Sequence, residues 1–235
     1  KQRPSIAQRV RALTFGAARA APHGFFVRDG RIDIGAESFL HEDPVNILRL
    51  FDEGLRTGAL IHPNAFRMVV RNVHLGKGLR DNKEANQLFM WLLVESDSPE
   101  RALRRMNETG VLGAFIPEFD AITALMQFNM YHHYTVDEHT IHAIDGLKQV
   151  LDGKLIDSLP LGTRIVKDGV DLTVLYLAIF FHAIGKGRAE AHAIVGAEIA
   201  AKVCPPLGLD APRTHMVAWL VRHPLLLQDA APTRH

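Results

Sequence analysis

The chain has one cysteine, Cys204, in 235 residues. A single thiol excludes an internal disulfide and any cysteine-rich zinc site, and it reads as a structural thiol in a reducing, cytoplasmic compartment. Large aromatics are scarce, with two Trp and three Tyr. Trp91 and Trp219 fit apolar core stripes better than base-stacking platforms. No stretch approaches ~18 uninterrupted apolar residues, so no transmembrane helix is expected. An excess of one charge is also missing. Lys and Arg total 27 against 26 Asp and Glu, a net charge of +1. Bulk charge therefore gives no argument for nucleic-acid or membrane binding. The first residues, Lys1-Gln2-Arg3-Pro4, carry no apolar signal core and no initiator Met, so a fragment of a longer protein is expected. No internal repeat and no low-complexity tract are visible.

Hydrophobic residues make up 47% of the chain, enough for a substantial core. At this length, one large or two small domains are expected. Strand signals are few and confined to the first 40 residues. The best of them is Phe25 to Ile34, where Asp29-Gly30 separates two short apolar runs as in a hairpin. Helical spacing dominates the rest. Asp43 and Pro44 open a helix whose stripe is Ile47, Leu48, Phe51 and Leu55, with Gly58 as its stop. Pro63 opens another. Asn82 to Val94 is a third, with Ala85, Leu88, Phe89, Leu92 and Leu93 inward. Ser98-Pro99-Glu100 starts a helix ending at Gly110. Residues 111–118 read as a short apolar connector, with Pro117 beginning the next helix.

The second half is also helical by spacing. Thr135 to about Leu151 is a helix whose first turn holds Asp137 and Glu138, where acids favour the helix dipole. Residues 162–169 read as a polar loop. Asp171 caps an apolar helix that carries His182. Ala189 to Val203 and Ala211 to about Arg222 complete the set. The best boundary falls between residues 117 and 132, which gives a helical linker region over 1–125 and a second domain over 126–235. The fold class expected is all-α.

Nine of the 13 histidines lie from His132 onward, so the second half carries the chemistry. His182 ends the apolar run Leu175-Tyr176-Leu177-Ala178-Ile179-Phe180-Phe181, just where the chain breaks into Gly185-Lys186-Gly187. An imidazole there is desolvated on one side and open on the other. One such histidine is most often a packed or capping residue. His139, His182, His192 and His223, on four separate helices, form a candidate metal-ligand set. Imidazole suits Zn, Fe, Mn or Ni. Hydrolysis would also require carboxylates to balance the ion, which lowers the pKa of bound water. Lys186 reads either as a point charge for a phosphate oxygen or as a solvated loop lysine, and Arg188 less clearly as either. Asp137 and Glu138 read first as helix charges and second as ligands. His132, His133 and His142 read as solvent- or substrate-facing. His215 and His235 read as surface residues.

This pattern resembles the HD phosphohydrolase superfamily, named for an adjacent His-Asp pair on a buried helix. The resemblance narrows to the bacterial PII uridylyltransferase/uridylyl-removing enzymes on the string Tyr134-Thr135-Val136-Asp137-Glu138-His139-Thr140. It is supported by Met106 to Leu112, Ile116-Pro117-Glu118-Phe119, His182 to Arg188, Val195-Gly196-Ala197 and Ala218 to His223. It implies an HD-type helical bundle that hydrolyses UMP from a tyrosine of the PII signalling protein with a divalent metal, Mn or Mg first, Fe or Zn as alternatives. It also implies nucleotidyltransferase and ACT domains elsewhere in the full-length chain. This sequence contains neither the Gly-Ser and paired-Asp signature of the transferase nor an ACT segment.

The departures from that family bear on activity. The family has Asp after the histidine at 182, and here Ala183 stands. It typically has Asp before the histidine at 192 and a second His after that at 223; here Ala191 and Pro224 stand. Asp229 is the only late carboxylate that could replace a further ligand. Alanine offers no lone pair, so metal occupancy and hydrolysis should be impaired. Removing a mere supporting contact costs roughly 10–100-fold, and a direct ligand at least that. The alanines arise either by engineering or by natural degeneration of the site. Besides a uridylyl-removing phosphodiesterase, two readings stay open: a non-catalytic regulatory or protein-docking module, and an HD hydrolase of a free nucleotide.

Overall fold

The computed structural model describes residues 19–20, 24–126 and 134–224. It is mostly helical, as the spacing predicts, with four short strands in one small sheet. Strands β1 (Arg19–Ala20), β2 (Phe26–Arg28) and β3 (Arg31–Asp33) pair antiparallel in sequence order. The predicted Asp29-Gly30 turn joins β2 to β3. Both residues have positive φ, 50° and 71°, as the tightest hairpin turn requires. Strand β4 (Leu60–Ile61) adds to β3 in parallel, with Arg31 opposite Leu60. Strand pairing therefore extends beyond the first 40 residues. The reason is tertiary: a two-residue strand is stabilised only by the neighbour it meets.

The helices of the first half follow the sequence closely. They are α1 (Ser38–Glu42), α2 (Asn46–Arg56), α3 (Pro63–Arg71), α4 (Lys83–Met90) and α5 (Pro99–Glu108). Asp43 accepts from the Val45 amide at 3.1 Å, and Asn82 caps α4 through the Ala85 amide at 3.0 Å. A wide π-type turn, Trp91–Glu95, prolongs α4 and keeps Leu92 and Leu93 inward. The apolar stretch read as a connector instead forms α6 (Val111–Phe115), before α7 (Pro117–Asp120). Gly110, at φ 78°, turns the chain so that Val111, Leu112 and Phe115 can share one buried face.

The second half contains α8 (Val136–Leu151), α9 (Pro160–Lys167), α10 (Leu172–Phe181), α11 (His192–Val203) and α12 (Ala211–Arg222). The predicted polar loop at 162–169 is mostly helix α9. Pro160 suits a first helical turn, and the Thr163 hydroxyl donates to the Leu159 carbonyl at 3.0 Å. Exposure of Leu161 and Ile165 hid this helix from a periodicity argument. Trp219 is also exposed rather than core. No helix among the described residues is long and apolar enough to cross a membrane.

Helix α10 is apolar on every face, so it must be covered on every side. Val174, Tyr176, Leu177, Ala178, Phe180 and Phe181 are all buried. Phe180 provides its seat on the first half. Its ring stacks on Phe119 at 5.2 Å and meets Phe89 edge-on at 5.7 Å, while Phe89 also packs on Phe115. One apolar core thus runs from the β-hairpin through both halves. We expect Phe180→Ala to cost about 3–5 kcal/mol, the usual toll of emptying a core phenylalanine. Denaturant unfolding monitored by circular dichroism checks this. A loss below 1 kcal/mol would mean that the cluster does not seat α10.

Candidate functional site

Two of the four candidate histidines meet directly. Helix α8 presents His139 and the end of α10 presents His182, with their Nε2 atoms 3.1 Å apart and ring centroids 5.2 Å apart. Both rings are partly buried. The His182 orientation follows from where its helix ends. The last carbonyls of a helix lack intrahelical partners. His182 uses its own ring to satisfy one of them, with Nδ1 2.5 Å from the Ile179 carbonyl oxygen. A carbonyl accepts only, so Nδ1 carries the proton and a neutral ring leaves Nε2 with a bare lone pair. His139 Nε2–H is then the donor across the pair.

Burial pushes the His182 pKa down, partly countered by the Ile179 hydrogen bond, and the charges of Lys186 and His192 lower it further. The site thus favours a neutral His182. Burial also lowers the pKa of Lys186. His192 stands exposed at the first residue of α11, near enough to influence His182. His223 follows α12, exposed, with its ring 5.1 Å from that of Trp219. Arg188, His142 and His215 are exposed, and His142 packs beside Tyr134 at 4.6 Å. His132, His133, Asp229 and His235 lie outside the described residues.

The anchors of α8 include residues whose part the sequence did not reveal. Asp137 is buried and accepts from the Asn107 side-chain amide at 2.7 Å and from the Ala124 amide at 3.3 Å. Glu138 pairs with Arg104, which also holds Glu100 at 2.6 Å. Both acids therefore fasten the site helix to α5. The turn after His182 depends on two glycines. A Cβ on Gly185 would stand 2.1 Å from the His192 carbonyl oxygen, and one on Gly196 3.0 Å from Val221. These close approaches bring the start of α11 beside His182. The Gly-Lys-Gly break was the available signal, although its need for closeness to His192 was not readable.

Among the described residues the donor set does not fit a catalytic divalent ion. Among the described residues two imidazoles converge, and no three His, Cys, Asp or Glu side chains form a metal-holding group. Ala183 is fully buried beside His182, and Ala191 is exposed before His192. Neither methyl group offers a lone pair or a compensating charge.

NMR of the imidazole nitrogens should find His182 neutral and protonated on Nδ1 at pH 6.5. Because its folded pKa lies below the ordinary 6.5, its contribution to stability is complete above that pH and falls as pH drops through the folded value. A His182 that is charged at pH 6.5 would contradict this. Separately, Gly185→Ala must displace backbone and should cost about 1–3 kcal/mol, read from its denaturation midpoint. Unchanged stability would refute the close approach.

Residues 25–115 match the family model described as the uridylyltransferase GlnD third domain. The chain is 53% identical over 222 residues to a bifunctional uridylyltransferase/uridylyl-removing enzyme of Ruegeria pomeroyi, covering 94% of this chain and 24% of that protein. Enzymes of the same description from Cereibacter sphaeroides and Azospirillum brasilense are 51% and 43% identical over 207 and 216 residues. These matches cover 88% and 92% of this chain, and 22% and 23% of the respective enzymes. The chain spans about a quarter of the length of these relatives. It is homologous, over most of its own length, to a segment of the bifunctional uridylyltransferase/uridylyl-removing enzymes.

Proposed function

We propose that this chain carries the HD-type phosphodiesterase scaffold of a uridylyl-removing enzyme, and that Ala183 and Ala191 impair its hydrolysis. The carrying observation is the His139–His182 pair, whose Nε2 atoms converge at 3.1 Å from two different helices. In the intact arrangement, histidines 139, 182, 192 and 223 would serve a divalent metal, Mn or Mg before Fe or Zn, together with carboxylates at 183 and 191. Lys186 would offset charge on a phosphoryl oxygen. The substrate would be uridylylated PII, which makes the domain an arm of nitrogen regulation. The nucleotidyltransferase and ACT domains of a full-length chain would be its covalent partners.

The described residues do not supply the charge balance for that chemistry. A divalent ion held by neutral imidazoles keeps its full charge, and Lys186 lies close enough to add to it. The missing carboxylate also favours a second reading, a non-catalytic docking module built on the same scaffold.

Restoring Ala183→Asp and Ala191→Asp together separates these readings. A carboxylate at the buried position 183 is costly without a counter-ion. The restored protein should therefore be stabilised by Mn, by about 2.7 kcal/mol when the metal reaches 100 times its Kd. This chain should show little shift. The restored protein should also hydrolyse uridylylated PII at least tenfold faster, as expected when a direct metal contact returns. Mn-dependent stabilisation without hydrolysis would leave the metal site standing and discard the substrate. No stabilisation and no hydrolysis would favour the docking module.

A further inference from the structure

A second cleft lies in the first half, formed by the sheet, α3 and α5. It encloses about 280 Å³ and is lined by Arg31, Leu60, Pro63, Phe66, Arg67 and Arg105. Its cations come from three elements: β3, α3 and α5. Among the described residues no acidic side chain lines it. Arg105 reaches Glu108 at 2.5 Å, an exposed pair that solvent and salt weaken. Arg31 and Arg67 have no ion-pair or hydrogen-bond partner for their guanidiniums among the described residues. Elsewhere in this half arginines are engaged. Arg28 is with Asp33, Arg49 with Asp43 and Glu84, Arg56 with Asp52, and Arg80 with Glu118. Two uncompensated guanidiniums facing one cleft are therefore an exception to the local pattern.

The cleft is also shaped. Arg101 donates to the Ala59 carbonyl at 3.0 Å and so fixes the entry to β4. Parallel pairing of Leu60 with Arg31 then sets the spacing of the cleft wall. Beside the charges lie apolar surfaces: Phe66, Pro63 and the exposed Leu60.

We propose that this cleft binds a phosphate monoester with an aromatic or apolar body, at a site separate from the histidine pair. A phosphate monoester carries about −1.5 to −2 charge at neutral pH, which matches two unpaired guanidiniums. Its three terminal oxygens can engage several guanidinium forks at once, whereas a carboxylate has two oxygens to offer. The body of the ligand would lie on Phe66 and Leu60, where apolar surface is available.

Calorimetric titration of the chain at low salt tests this with phenyl phosphate, inorganic phosphate and phenylacetate as probes. Phenyl phosphate should bind tightest, and inorganic phosphate about tenfold more weakly because it leaves the apolar surface uncovered. Arg31→Gln with Arg67→Gln should weaken phenyl phosphate at least about tenfold, as lost charge-assisted contacts do. In the unaltered chain, phenyl phosphate should shift the NMR amides of Ile61 and Arg67, which reads the site without any substitution. Undetectable binding at millimolar phenyl phosphate, unchanged binding in the double variant, or a preference for phenylacetate would overturn the proposal. The last result would assign the cleft to a carboxylate ligand.

Discussion

The seating of helix α10 on the aromatic cluster is the constraint on which the histidine pair depends. A helix apolar on all faces has no stable place at a surface. Phe180 inserts between Phe89 and Phe119, both from the first half, and Phe181 packs at right angles to it. This sets where α10 ends. His182 sits at that end, and the free Ile179 carbonyl there selects its tautomer. Core packing, helix termination and ring chemistry are thus linked within four residues.

The opposing histidine is placed by a different physics. Helix α8 is fastened at its first turn by partly buried polar contacts, Asn107 to Asp137 and Arg104 to Glu138. Such contacts are directional, and a buried carboxylate left without its partners is expensive. They set the position of α8 against α5 where apolar packing alone would leave it free to slide. Gly185 and Gly196 then allow the chain after α10 to close on the start of α11. The first half of the protein therefore serves as the frame for the second, and the relatives' shared sequence extends across both.

Electrostatics separate what the scaffold could hold from what this chain offers. The facing Nε2 atoms, 3.1 Å apart, share a hydrogen bond. An ion would have to break that bond, and among the described residues no carboxylate joins the pair in exchange. Desolvation and the nearby charges of Lys186 and His192 already oppose positive charge on His182. The arginine cleft in the first half presents the opposite case, with surplus cationic charge and no anion among its lining residues.

Much of the fold was legible because its signals are local. Proline at first turns, Asp171 as a cap, positive-φ glycines at stops and the Asp29-Gly30 hairpin each act within a few residues. The helix α9 was not legible, since its apolar residues face solvent, and β4 exists only through its pairing with β3. Of the candidate site, the sequence supplied the histidines as residue types and flagged the alanines. It could not tell that His139 and His182 touch while His223 packs on Trp219, because contacts between helices depend on packing across the core. Nor could it tell that Asp137 and Glu138 are anchors, since Asn107 and Arg104 lie 30 and 34 residues away. The sequence alone determined the helical class and the absence of carboxylate at 183 and 191, which are properties of residue type and spacing. Tertiary structure alone decided which side chains converge, because convergence is set by how apolar and polar faces from distant segments bury one another.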